Sequence, residues 1–248
     1  MKEINICHLY PDILNLYGDR GNIVAMVRRL EWRGISARVN EVPLGAAIDP
    51  ESNDIFFIGG GQDFEQQVLL KDLSGGKSDA IKETVESGKT FLCVCAGYQL
   101  MGKFYRTWDE VEIPFIGALD LYTVGKTERM IGDYMFECDP SDGGAVVVGF
   151  ENHSGRTYLG DGARPLGKVL KGFGNNGEDL TEGARYKNVF CSYGHGPLLP
   201  KNPLLCDQIL KTALLHKYGG YELEPLDDTL ENNANAYMLR ELRSRGAG

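Results

Sequence analysis

The chain has 248 residues, 42% of them hydrophobic, and a formal net charge of −9. That is apolar material for one sizeable domain, and so acidic a surface repels phosphate, which argues against nucleic acid as the main partner. Six irregularly spaced cysteines suggest no disulfide framework, and four scattered histidines without a C-x-x-C or H-x-x-x-H pair give no zinc pattern, so no metal is expected.

MKEINICHLYPDI has no long apolar core before its first proline, and no segment approaches the ~20 apolar residues of a membrane span. Reduced thiols and a cytoplasmic location are the expectation. In chain order, Glu3 to Tyr10 reads as a buried strand closed by Pro11 and Asp12. Gly18 to Gly34 reads as an amphipathic helix with Ile23, Val24, Met26, Val27 and Leu30 toward one face. Ile35 to Pro43 is a second strand, and Asp54 to Asp63 a third, running into Gly59, Gly60 and Gly61. Ser78 to Lys89 is a helix that stops at Gly88. Continuous apolar strands alternating with helices predict an open, mostly parallel α/β sheet with helices on both faces.

The next strand carries the chemistry. In FLCVCAGYQLMG the apolar run Phe91 to Val94 ends at Cys95, small Ala96 and Gly97 follow, and a helix can start at once. This is the pattern of a nucleophile elbow, which lifts a side chain above the sheet edge beside a helix N-terminus, where a thiolate is favoured. Cys93, two residues earlier inside the apolar run, reads as core packing. Beyond about Gly117 the pattern shifts to strand-like segments: ALDLYTVG, YMFECD, AVVVGFENHSGRTYLG and KVLKGFGNN. Asn188 to Pro197 is again a strand leading into a loop, Asn202 to Gly219 a clear helix, and the charged tail from about 226 a surface helix fraying at Gly246 to Gly248. Residues 1–248 are read as a single domain.

His195, flanked by Gly194 and Gly196 at a strand end, is the candidate base for Cys95; His153, in FENHSG, is its rival, whereas His8 and His216 read as structural. Chemistry collects at the carboxyl ends of strands in such sheets, and a histidine there can take the thiol proton and return it to a leaving amine. The triple glycine offers backbone N–H groups that, with the N–H of Ala96, form a candidate oxyanion hole. A tight turn or phosphate loop is the alternative, but no G-K-[ST] follows directly.

Strand–GGG, strand–C-A-G-Y-Q and strand–G-H-G-P together resemble the class I glutamine amidotransferases, cobyric-acid-synthase-like branch. HLYPDILNLYGDRGN, DIFFIGGGQDFEQ, CAGYQLMGK, VGFENHSGRTYLG, GFGNNGEDLTEG and YGHGPLLPKNP carry the resemblance from residue 8 to about residue 203. Within that branch the chain is most similar to glutaminase subunits that serve a separate Mur ligase. The resemblance implies a flavodoxin-like fold, Cys95 and His195 as the catalytic pair, Gly60 and Ala96 at the oxyanion positions, and Gln99 on the substrate side. Arg129 would hold glutamine's carboxylate; a plain surface arginine is the alternative. It further implies a MurT-like partner that uses ATP and Mg, L-glutamine as substrate, lipid II reached through the partner at the inner face of the membrane, and no cofactor in this chain. A corrinoid carboxylate as acceptor, or a cysteine hydrolase of similar fold, is the competing reading. One departure stands out: the Glu often found two positions after the histidine is Pro197 here. Either Cys95 and His195 act as a dyad or an acid arrives from elsewhere, the partner included; Asp19 and Glu151 are the in-chain candidates.

Overall fold

A computed structural model describes residues 2–61 and 63–244. Its elements run β1 (Glu3–Leu9), α1 (Arg20–Glu31), β2 (Ser36–Val42), β3 (Ile55–Ile58), α2 (Asp63–Leu73), α3 (Lys77–Glu86), β4 (Thr90–Val94) and α4 (Ala96–Leu100). They continue with β5 (Phe104–Arg106), β6 (Glu112–Pro114), β7 (Leu121–Cys138), β8 (Val146–Leu159), β9 (Gly167–Lys171), β10 (Thr181–Glu182), β11 (Ala184–Tyr186), β12 (Val189–Ser192), α5 (Pro203–Tyr218) and α6 (Thr229–Ser244). The fraying expected at Gly246 to Gly248 lies outside the described residues.

The first sheet has the order β2-β1-β3-β4-β12-β11, with every neighbour parallel except the β11–β12 pair. This is a doubly wound arrangement whose strand order reverses between β1 and β3, the kind of place where ligands bind in open parallel sheets. β3 and β4 are buried at every position, as strands covered on both faces must be. Phe56 on β3 stacks on Phe91 of β4 with centroids 4.8 Å apart. Burying each such ring is worth about 1.5–3 kcal/mol. Cys93 is fully buried beside Cys191 of β12, as core.

α1 covers the sheet with Ile23, Met26 and Leu30, but Val24 faces outward and is 54% exposed. Arg29 takes a buried place instead, because Asp207 of α5 and Asp228 ahead of α6 grip its guanidinium at 2.6 and 2.5 Å. Charge pairing overrides simple amphipathic patterning here, and it ties the tail to the core.

The strand-rich second half forms a second sheet, β10-β9-β7-β5-β6 with β8 against β7, mostly antiparallel. ALDLYTVG and YMFECD are not separate strands; they are the two ends of the single long β7, which slips register between Gly125 and Met130. α6 is a surface helix that seats Leu242 on Met135 and Val148 of this sheet.

Candidate active site

Four chain segments meet at the carboxyl edge of the first sheet: the turn after β1, the glycines after β3, the elbow after β4 and the loop after β12. Cys95 sits at φ 49°, ψ −105°, a conformation that costs a non-glycine residue on the order of 1–3 kcal/mol. Its neighbours make that turn possible. A side chain on Gly97 would overlap the carbonyl of Ile58, and the Gly97 N–H donates to the carbonyl of Gly59 at 3.1 Å. The Cys95 N–H donates to the carbonyl of Ser192 at 2.9 Å, which pins the elbow to the β12 end. The Ala96 N–H is the first helical N–H of α4, and such groups have no acceptor within their own helix.

His195 is buried and is held by a two-way backbone bridge to Phe150 of β8. Its Nδ1 lies 3.3 Å from Asp19, which is also fully buried. The Nε2 has no well-formed hydrogen bond; apo catalytic contacts are often loose until substrate binds. Burial pushes the imidazole toward its neutral form, but the charge of Cys95 and the Asp19 carboxylate more than offset this and raise the ring to about 10.

Gly60 is the hub. A Cβ placed there would overlap Cε1 of His195 while standing 3.0 Å from Asp19 Oδ2 and 3.3 Å from Cys95 Cβ. Only a residue without a side chain lets the thiol, the imidazole and the carboxylate converge. A thiol that converges with a carboxylate-anchored imidazole is an arrangement suited to acyl transfer through a thioester. Residues 5–203 match the CobB/CobQ-like glutamine amidotransferase domain. The chain belongs to this family.

Its relatives include the lipid II isoglutaminyl synthase (glutamine-hydrolyzing) subunit GatD of Staphylococcus aureus, 43% identical over 99% of this chain and 100% of that one. The subunit of the same name from Streptococcus pneumoniae is 41% identical, over 88% of this chain and 83% of its own length. Among solved structures, a glutamine amidotransferase from Thermotoga maritima shares the fold with a TM-score of 0.57 at 15% identity, covering 98% of this chain and 97% of that one.

Within this amidotransferase site, the other residues singled out in the sequence fall as follows. The Gly60 N–H donates to Asp19 Oδ2 at 2.7 Å, so in this state it is committed to the carboxylate and not offered to an oxyanion. Gln99 is buried one turn beyond Cys95, and its side-chain amide donates to the Tyr193 hydroxyl at 3.1 Å. Arg129 is exposed and donates to Asn152, through Nε to Oδ1 at 2.7 Å and through Nη2 to the backbone carbonyl at 3.1 Å. Glu151 does not reach His195. It accepts from the N–H groups of Phe173 and Gly174 at 2.7 and 2.9 Å, and its nearest imidazole is that of His153, 3.7 Å away. His153 lies flat against Tyr193 with centroids 3.5 Å apart, and burial pushes its ring toward the neutral form. It supports the wall behind the site.

Three contributors lie within the segments that carry the resemblance but were given no role there. Tyr17 packs edge-on against His195 with centroids 5.0 Å apart. Asn152 donates to the Tyr17 hydroxyl. Tyr193 joins Gln99 to Thr157 through hydroxyl contacts at 3.1 and 2.5 Å. Tyr17 and Tyr193 each stand two positions before a catalytic-edge residue, Asp19 and His195; that adjacency is the signal that could have found them.

Proposed function

We propose that the chain is the glutaminase subunit of a lipid II isoglutaminyl synthase. It hydrolyses L-glutamine and passes ammonia to a MurT-like Mur ligase subunit, which uses ATP and Mg to amidate the D-glutamate α-carboxyl of lipid II to D-isoglutamine. What carries this reading is the end-to-end match to a glutamine-hydrolysing synthase subunit, on a chain whose thiol, imidazole and carboxylate converge at Gly60.

In the first step the Cys95 sulfur attacks the side-chain carbonyl carbon of glutamine. The Ala96 N–H, at the start of α4, is placed to stabilise the oxyanion. The His195 imidazolium gives its proton to the departing nitrogen, the C–N bond breaks, and ammonia leaves a thioester. Water then attacks the thioester while His195 takes its proton; the C–S bond breaks, glutamate departs, and the thiolate–imidazolium pair is restored. Asp19 holds the ring and stabilises its charge throughout, the duty that a Glu at the Pro197 position would otherwise perform. The carboxylate of glutamine falls to Arg129, whose planar guanidinium suits it. ATP and Mg belong to the partner, and this chain holds no cofactor. No helix among the described residues is long and apolar enough to cross a membrane; in this reading the partner and lipid II hold the subunit at the cytoplasmic face.

The experiment is reconstitution with the Mur ligase subunit, lipid II, ATP and glutamine labelled with ¹⁵N in its side-chain amide. Mass spectrometry should find the label in the muropeptide amide. Glutamate release without labelled lipid II, with a ligase that binds ATP, would assign the chain to another acceptor.

A further inference from the structure

Tyr17 holds φ 55°, ψ 23°, a left-handed conformation that side chains disfavour. Gly18 follows at φ 76° and Asp19 comes next. These three residues form one tight turn, and the turn delivers two groups at once. Asp19 goes down to the His195 ring. Tyr17 goes over it, packing against both His195 and Phe150 with centroids 5.0 and 5.6 Å away.

The Tyr17 hydroxyl then meets Asn152 of β8, which donates to it through its side-chain N–H. The carbonyl end of the same amide accepts from Arg129. Both ends of the Asn152 side chain are thereby used, and their complementarity fixes which way the amide points. Arg129 belongs to the stretch where β7 slips register, which frees it from the regular ladder. Two bonds to one residue, through Nε and Nη2, set the plane of its guanidinium. Its Nη1 has no protein partner among the described residues, and the Tyr17 hydroxyl, which accepts from Asn152, still has its own proton to give.

The outcome is an arch, Tyr17–Asn152–Arg129, above the catalytic imidazole. It has a hydroxyl proton and a cationic guanidinium N–H left to give, and a carboxylate offers acceptors only. We propose that Tyr17 and Asn152 are specificity-determining partners of Arg129, and that the arch as a unit recognises the α-carboxylate of glutamine. The inference rests on the reading of Arg129 given above. Because Tyr17 and Asp19 share one turn, filling the arch with a carboxylate also steadies the loop that holds His195.

The test compares L-glutamine with its α-carboxamide as substrates for the full chain assayed with its ligase subunit. The observable is the ratio of kcat/KM for the two, in the wild type, Arg129→Ala, Asn152→Ala, Tyr17→Phe and Arg129→Ala/Asn152→Ala. Asn152→Ala and Tyr17→Phe should each lower the preference for glutamine about tenfold, the scale of one charge-assisted hydrogen bond lost or misaligned. Arg129→Ala should lower it further, and adding Asn152→Ala to it should change nothing more. Should Arg129→Ala retain the full preference, the assignment of Arg129 itself is wrong. A collapse in Arg129→Ala with none in Asn152→Ala and Tyr17→Phe keeps that assignment and overturns the arch. Equal loss toward both substrates also overturns it, since damage to the fold or to His195 does not discriminate a carboxylate from an amide.

Discussion

The Nδ1 of His195 and the carboxylate of Asp19 lie 3.3 Å apart, although 176 positions separate them in the chain. The contact puts Asp19 in position to orient the imidazole, with the Gly60 N–H as the second anchor of the same carboxylate at 2.7 Å. Asp19→Asn keeps the shape but loses the charge. Glutaminase kcat should fall by about 10²-fold or more, within the range for general acid–base assistance, with a smaller change in KM. Activity within twofold of wild type would remove Asp19 from the mechanism.

The protonation of His195 gives a prediction with a definite sign. In the folded chain Cys95 and Asp19 raise the ring from 6.5 to about 10 against the opposing effect of burial. Folding therefore captures a proton: the stabilisation it brings is complete below about pH 6, where the unfolded chain is also protonated, and disappears as pH rises through about 10. Cys95→Ala removes the largest charge favouring the imidazolium. The His195 titration midpoint, followed by ¹⁵N NMR of the ring, should drop in this variant, and by more than in Asp19→Asn. An unmoved midpoint in Cys95→Ala would mean that the sulfur does not act on the ring.

Cys95 and Cys93 are two residues apart and both buried, but Cys95 stands at the elbow next to Gly60, whereas Cys93 lies inside β4. Cys95→Ser should abolish glutamate release, and diazo-oxo-norleucine should label Cys95 alone. Cys93→Ala removes a fully buried sulfur from the β3–β4–β12 core, which costs about 1 kcal/mol of stability, while most turnover is retained. Comparable loss of turnover from both changes, in proteins with intact melting transitions, would contradict the assignment.

Much of this was readable from residue order. Continuous apolar strands announced the parallel sheet, because burial on both faces removes any alternation, and the small residues around Cys95 announced the elbow, where a side chain on Gly97 would overlap Ile58. The register slip in β7 was not readable. Its Lys126 to Arg129 stretch looks like a break between two strands, whereas the β8 ladder carries the chain across it. Nor could spacing choose between Asp19 and Glu151. That choice depends on where β8 lies against the first sheet: it brings Phe150 to His195 and turns Glu151 away to the 173–174 backbone.

Gly60→Ala is the smallest change that tests the convergence. The added methyl would overlap His195 Cε1, and the relief available is limited because the carboxylate and the Cys95 Cβ close the other sides. Turnover should fall by 10²-fold or more through a displaced imidazole, while the melting temperature shifts by only a few degrees, as expected for a destabilisation of about 1 kcal/mol. A fully active Gly60→Ala enzyme would show that the three groups need not meet at this point.

Division of labour between the two subunits yields the last prediction. If this chain only releases ammonia, its loss can be bypassed by supplying ammonia directly. The Cys95→Ala chain, assembled with the Mur ligase subunit, should fail to amidate lipid II from glutamine and ATP. It should recover amidation under high ammonium, more strongly as pH rises toward 9, because the neutral amine is the nucleophile and its share grows with pH. Since Cys95 is buried at the sheet edge, the substitution leaves the outer surface available to the partner. A mutant complex that stays inactive at saturating ammonium, while its ligase still binds ATP and lipid II, would show that the glutaminase subunit does more for the acceptor reaction than feed it.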